Sequence, residues 1–318
     1  MNSEIWPWNG QKTLRFDRFM NLALHDPERG YYTRRIRGVG KTGDFTTTPM
    51  ISESLGKAIA SWAVAAMRES KTRNLIELGP GEGYLAATVI KHLPWWRRPT
   101  LHLVETSEPL RKKQKALLGK RVHWHDSIES ALEACKGNAC IYSNEFADAF
   151  PVRIFRKNHD DWSELHLAPE EIWKKCASLP DSSIFELNFS NGQRVEVSEA
   201  YHDWLKGWLP IWKSGRVLTI DYGAPATELY HRRPRGSVRA YLLQQRIEGP
   251  QVADYPGRQD ITADVNFTDI QRWSAPQLRT IRLIPQREFL LPYARISDAW
   301  VTHQDGAGDA FRVLDQVR

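Results

Sequence analysis

The chain is short of several features, and each shortage excludes a class. No apolar run reaches the roughly 18 residues of a membrane-spanning helix. The only cysteines are Cys135, Cys140 and Cys176, with no Cys-x-x-Cys pair. That argues against a disulfide framework and a zinc site, so no metal is expected, and a reducing compartment fits best. Residues 1–10 carry Glu4 and lack a basic stretch followed by an apolar one, so no secretory signal is read there. Nor are they the Arg-rich, acid-free stretch of a mitochondrial presequence. A cytoplasmic location without a membrane partner is the expectation. There is no internal repeat and no low-complexity segment.

What is present is ordinary for a globular protein: 41% hydrophobic and 26% charged residues. The 318 residues suit one core with a sizeable insertion, or two lobes. The net charge of +6 permits contact with nucleic acid or an acidic protein without demanding either. Arg34, Arg35, Arg37 and Lys41 form one basic run, and His231 to Arg239 another. Both read as solvated loops, because aromatics do not interleave as a stacking platform requires. A nucleic-acid partner is therefore not expected. Thirteen tryptophans is a high count, and each can fill a core or anchor an interface.

Apolar spacing predicts helices over Leu14 to His25 and Ser52 to Met67, with Ser52 as a cap. From Asn74 the pattern becomes strand–helix alternation. Strands fall at Leu75 to Leu78, Leu101 to Glu105, Val122 to His125 and Ala139 to Ser143, with helices between them. This rhythm predicts an α/β, Rossmann-like parallel sheet with helices on both faces. Val152 to Val197 breaks it and reads as an inserted antiparallel patch. A strand at Val217 to Asp221 returns to the core, and Tyr222 to Thr268 is a second excursion. Thr280 to Ile284 and Glu288 to Leu291 read as a final strand pair. The division is then an N-terminal helical lid region over 1–70, a core of 71–150 and 198–318, and a β-rich lobe at 151–197. The second excursion, 222–268, lies within the core.

The most informative stretch is Leu75-Ile76-Glu77-Leu78-Gly79-Pro80-Gly81-Glu82-Gly83. A buried strand ends in glycines that allow a tight turn and close approach to a ligand, and a helix begins. The pyrophosphate-binding turn is Gly-x-Gly-x-x-Gly. Here the pattern is Glu-x-Gly-x-Gly-x-Gly, with an acid inside the turn at Glu82. Carboxylates repel a pyrophosphate but suit the cationic groups of S-adenosylmethionine. Glu105 ends the second strand, 28 residues after Glu77, where it could accept hydrogen bonds from ribose hydroxyls. Asp126 and Ser127, after the third strand, are placed to touch adenine. His123 and His125 alternate on that strand and point the same way, but lack a third ligand.

Several blocks resemble the MidA family of S-adenosylmethionine-dependent methyltransferases, which includes a mitochondrial complex I assembly-factor arginine methyltransferase. They are Phe19-Met20 with His25-Asp26-Pro27 and Gly30-Tyr31-Tyr32; Gly43-Asp44-Phe45-Thr46-Thr47 with Pro49; and Glu77-Leu78-Gly79-Pro80-Gly81. Further along come Glu105-Thr106-Ser107 with Leu110 and Gln114; Asn144-Glu145-Phe146 with Asp148-Ala149 and Pro151; Asp221-Tyr222-Gly223; and Gln259-Asp260-Ile261-Thr262-Ala263. The resemblance implies a class I methyltransferase sheet, S-adenosyl-L-methionine as cofactor, and an arginine of a protein partner as acceptor. It departs from the family at Asp264, where a His is usual, and at Leu242 to Gln245, where His and Arg are usual.

Methyl transfer needs alignment of nucleophile, carbon and sulfur, and removal of a proton where the nucleophile carries one. Glu145 and Asp148 follow the fourth strand at the ligand-binding edge of the sheet, and are the candidate acids, with Asn144 orienting the substrate. Asp44 is a third candidate, on a loop that could close over the cofactor. Asp221 and Asp260 are weaker ones. The cofactor set is Glu77, Gly79, Gly81, Gly83, Glu105, Asp126, Ser127 and Asn144. A small-molecule methyltransferase and a non-catalytic, cofactor-binding scaffold remain as alternatives.

Overall fold

The computed structural model describes residues 6–35, 53–168, 170–176, 178–231, 233–243, 245–294 and 307–318. Ser52, Gln244 and Asp44 with the rest of its block lie outside these residues. Strand β1 (Leu14–Arg15) leads into helix α1 (Phe16–His25), and α2 (Ser54–Glu69) precedes the alternation. That alternation runs β2 (Asn74–Leu78), α3 (Tyr84–His92), β3 (Thr100–Val104), α4 (Glu108–Leu118), β4 (Val122–His125), α5 (Ile128–Ala134) and β5 (Cys140–Asn144). Then come β6 (Arg153–Asn158), β7 (Asp161–Leu167), β8 (Glu171–Lys175), β9 (Arg194–Val197), α6 (Glu199–Trp208) and β10 (Arg216–Ala224). The remainder is β11 (Arg239–Leu242), β12 (Gln245–Glu248), β13 (Asp260–Thr262), β14 (Val265–Asn266), α7 (Phe267–Ser274), β15 (Arg279–Pro285), α8 (Gln286–Leu290) and β16 (Phe311–Val317).

The main sheet has the order β15-β16-β10-β5-β2-β3-β4, with β14 beside β10. The five strands β2, β3, β4, β5 and β10 are parallel, and β16 runs antiparallel to β10 and β15. Successive side chains point to opposite faces of a strand. Leu75, Tyr142, Leu218 and Ile220 therefore pack on α2 and α3, while Ile76, Leu78, Ile141 and Val217 pack on α5, α6 and α7. Each such buried aliphatic side chain contributes about 1.5–3 kcal/mol. Strands covered on both faces read as continuous apolar runs. Glu77 interrupts that run and is nonetheless only 2% exposed.

β2 pairs with β3 on one side and β5 on the other, so chain order reverses there. Such a switch point opens a crevice at the carboxyl ends of the strands. A second, antiparallel sheet, β1-β7-β6-β9 with β8 on β7, packs on α1 through Phe16, Phe19, Ile154 and Leu165. A third, β12-β11-β13, adds Ala240 and Ile261 to the same cluster.

The final strand pair is not as the sequence suggests. Glu288 to Leu290 lie in α8, and the partner of β15 is β16. Pro285 ends β15, an edge strand, and stands at the N-cap of α8. Among the tryptophans, Trp8, Trp208 and Trp212 are fully buried, whereas Trp95 and Trp96 are 76% and 62% exposed.

Candidate active site

The crevice at the switch point is a cavity of about 400 Å³. It lies within the size range of small-molecule sites. The loops after β2, β3 and β5 supply one side, and Asn21, His25 and Tyr32 the other. Of the residues the sequence singled out, Glu77, Gly79, Gly81, Glu105, Asn144 and Glu145 line it together.

Glu77 Oε2 accepts the Tyr142 hydroxyl at 2.6 Å. Burial pushes its carboxyl up to about 8, against the lowering effect of that bond. Glu105 accepts from the Ser107 amide at 2.8 Å and the Gln114 amide at 3.4 Å. Burial raises it to about 7. Gln114 also donates to the Gly81 carbonyl at 2.6 Å, which ties α4 to the glycine turn. Glu82 lines the cavity too, but Lys113 holds it at 2.6 Å. Glu77 and Glu105 are thus the two buried acids of the cavity.

The glycines of the turn are required by conformation. Gly79 and Gly81 have φ +61° and +54°, and Gly83 has φ +90° as the N-cap of α3. A Cβ on Gly79 would stand 2.7 Å from the Phe146 ring. Gly83 does not line the cavity.

After β5 the chain turns through Glu145, a non-glycine residue at φ +54°. Asn144 Nδ2 donates to Glu145 Oε1 at 3.0 Å, and the buried Asn144 Oδ1 has no protein partner. The turn is held from below by Asp221, which accepts from the amides of Phe146 at 3.0 Å and Ala147 at 2.8 Å. Burial nonetheless raises Asp221 to about 7. Asp148 is buried behind this turn and does not line the cavity. Burial, then the neighbouring Asp221, Asp260 and Glu145, hold its pKa well above the usual carboxylate range. Asp260 accepts the Tyr32 hydroxyl at 2.8 Å.

Asp126 and Ser127 stand beyond the cavity, past the end of β4. Asp126 is bonded to Arg111 at 2.6 Å, and the Ser127 hydroxyl caps α5. His123 and His125 both contact His102 on β3, whose Nδ1 is 2.9 Å from His125 Nε2. The cavity also takes in Thr106, Leu110, Phe146 and Phe150, besides Asn21, His25 and Tyr32. None of these had been given a role from sequence. The signal was the opening block around His25 and Tyr32, which matched the family without pointing anywhere.

A family model described as "Putative S-adenosyl-L-methionine-dependent methyltransferase" matches residues 58–284. The chain belongs to this family. Its cofactor is S-adenosyl-L-methionine. Similar proteins include protein arginine methyltransferase NDUFAF7, mitochondrial, of Danio rerio, 27% identical over 313 residues, 86% of this chain and 71% of that protein. The protein of that name in Homo sapiens is 24% identical over 307 residues, 86% of this chain and 68% of that one. A COG1565 superfamily member from Burkholderia thailandensis, solved with S-adenosyl-homocysteine bound, shares the fold at a TM-score of 0.84. The two are 24% identical, with 98% of this chain and 89% of that chain covered.

The cavity suits the family's cofactor. Asn144 Oδ1 is a buried acceptor without a protein partner, and Glu77 and Glu105 are buried acids whose pKa burial raises. Asp264 lies outside the cavity. It pairs with Arg233 and Arg239 and ties down the second excursion.

Proposed function

We propose that the chain methylates an arginine side chain of a protein partner, with Glu145 receiving the guanidinium. The observation that carries this is the placement of Glu145. It lies on the cavity wall that continues from the glycine turn, in a left-handed conformation that costs backbone strain. The arginine acceptor follows the names of the relatives from Danio rerio and Homo sapiens.

When bound, S-adenosyl-L-methionine supplies a methyl carbon made electrophilic by its sulfonium. Glu77 would hold the cationic methionine end, and Glu105 would accept the ribose hydroxyls. Asn144 fixes Glu145 through its Nδ2 and offers Oδ1 as an acceptor. A carboxylate holds a guanidinium through paired N–H···O bonds. Glu145 thereby aims one nitrogen and takes the proton that nitrogen releases as its new N–C bond forms. Asp148 backs the turn. Gly83 sets the start of α3, Asp126 holds Arg111 and Ser127 caps α5. The lobe at 151–197 presents the partner.

Glu145→Gln tests this. Transfer to arginine, read by mass spectrometry of a methylated partner, should fall about 10²–10⁴-fold with cofactor affinity unchanged. Full-rate transfer by the variant would overturn the role of Glu145. Methyl groups on residues other than arginine would overturn the acceptor.

A further inference from the structure

The parallel strands β2, β3, β4, β5 and β10 all enter the main sheet at the end opposite the cavity. The loops leading into them are residues 70–73, 93–99, 119–121, 135–139 and 209–215. These five loops hold eight Lys or Arg and no Asp or Glu. That exceeds the net charge of the whole chain, +6. Lys71, Arg73, Arg98, Lys120, Lys136 and Lys213 are all exposed, and none is in an ion pair among the described residues. The acids at the loops' edges are Glu69 and Glu133, and Arg216 holds Glu69 at 2.8 Å.

Cations at helix C-termini also complement the helix dipole. That effect does not call for the two indoles set among them. Trp95 and Trp96 are 76% and 62% exposed, on a short turn between Pro94 and Pro99. Their ring centroids are 5.6 Å apart and the planes stand at 90°. Ile211, in the loop before β10, adds a third exposed apolar side chain at 43%. Indoles beside Lys and Arg suit the headgroup layer, where an apolar body and a polar edge are both satisfied.

We propose that this face docks on the surface of an anionic phospholipid bilayer, with Trp95 and Trp96 seated among the headgroups and the loop cations against the phosphates. No helix among the described residues is long and apolar enough to cross a membrane. Peripheral docking needs none, since a polybasic patch and a small apolar anchor act together. Single-stranded nucleic acid fits less well. It needs ring faces spaced along a groove, and two rings held at right angles do not offer that. The cavity stays accessible, because it opens at the other end of the sheet.

Co-sedimentation of the full chain with phosphatidylcholine vesicles, with and without one third phosphatidylglycerol, is the test. The chain should bind the anionic vesicles and leave the neutral ones, with binding falling at least ~10-fold at high salt. Trp95→Ser with Trp96→Ser should lower partitioning ~10-fold, as should Arg73→Glu with Arg98→Glu. Both variants should melt at the temperature of the parent chain, which reads folding separately from binding. Equal binding to neutral vesicles, no binding to anionic ones, or retention by the double-Trp variant would each overturn the proposal. So would a preference for a single-stranded oligonucleotide over anionic vesicles at the same salt.

Discussion

Glu77 and Glu105 are buried in the cavity, and that sets a pH dependence. Burial raises them to about 8 and about 7, above the ordinary value of 4.5. Between 4.5 and 8 the folded chain therefore holds protons that the unfolded chain has released. Stability then falls as pH rises through that window. Histidines that burial lowers, such as His102 at about 4, act in the opposite sense but only below 6.5. From about pH 7 to 8.5 the raised carboxyls dominate. A cation bound beside Glu77 and hydroxyls donated to Glu105 both favour the ionised form. The cofactor-free melting temperature should therefore drop across this range, while the increment given by S-adenosyl-L-methionine grows. Glu77→Gln should flatten the drop and shrink the increment. Thermal melts at a series of pH values measure both, and a cofactor-free melting temperature that climbs with pH would contradict the assignment.

Helix α2 crosses α3 at Gly56, where a Cβ would meet Thr88 Cγ2 at 2.3 Å and Thr88 Cβ at 2.7 Å. Alanine is the better helix former by about 1 kcal/mol. Overpacking at a close crossing costs about 1–3 kcal/mol. Contact wins at this separation, so Gly56→Ala should lower unfolding stability in a denaturant titration. Adding Thr88→Ser, which lacks Cγ2, should restore part of the loss. A stabilised single variant would show that the helices part freely. At this scale the sequence was most readable where the signal is local. Strand β4 falls where spacing puts it, and helix α4 fills the interval between β3 and β4. Glu288 to Leu291 was misread because a short apolar run fits helix or strand alike. Its outcome rests on β16, 20 residues further on, taking the place beside β15.

The cavity is assembled from parts of the chain far apart in sequence, and this decided how much of it could be read. The glycine turn, Glu105 and Glu145 each follow a strand of the switch-point sheet and Asn144 ends one, so strand order alone brings them together. Asn21, His25 and Tyr32 reach the same cavity only because α1 docks on β6, β7 and β13, which no local pattern announces. Asp148 stays outside the cavity, buried near Asp221 and Asp260. Tyr32 is the tie. Its hydroxyl donates to Asp260 across 228 positions, its carbonyl accepts from Ser107 at 2.9 Å, and its ring stacks on His25 at 5.6 Å. Burial, then Asp260, holds the hydroxyl far above its ordinary pKa, so it remains a donor at any working pH. Tyr32→Phe should cost about 1–3 kcal/mol of stability by removing a hydrogen bond to a buried acid, with the ring and cofactor affinity kept. Tyr32→Ala removes the cavity wall as well and should weaken cofactor binding in addition. Calorimetric titration of both variants, beside their melting curves, separates the two contributions. If Tyr32→Phe melts with the parent chain, the N-terminal segment is held to the core by apolar packing and not by this bond.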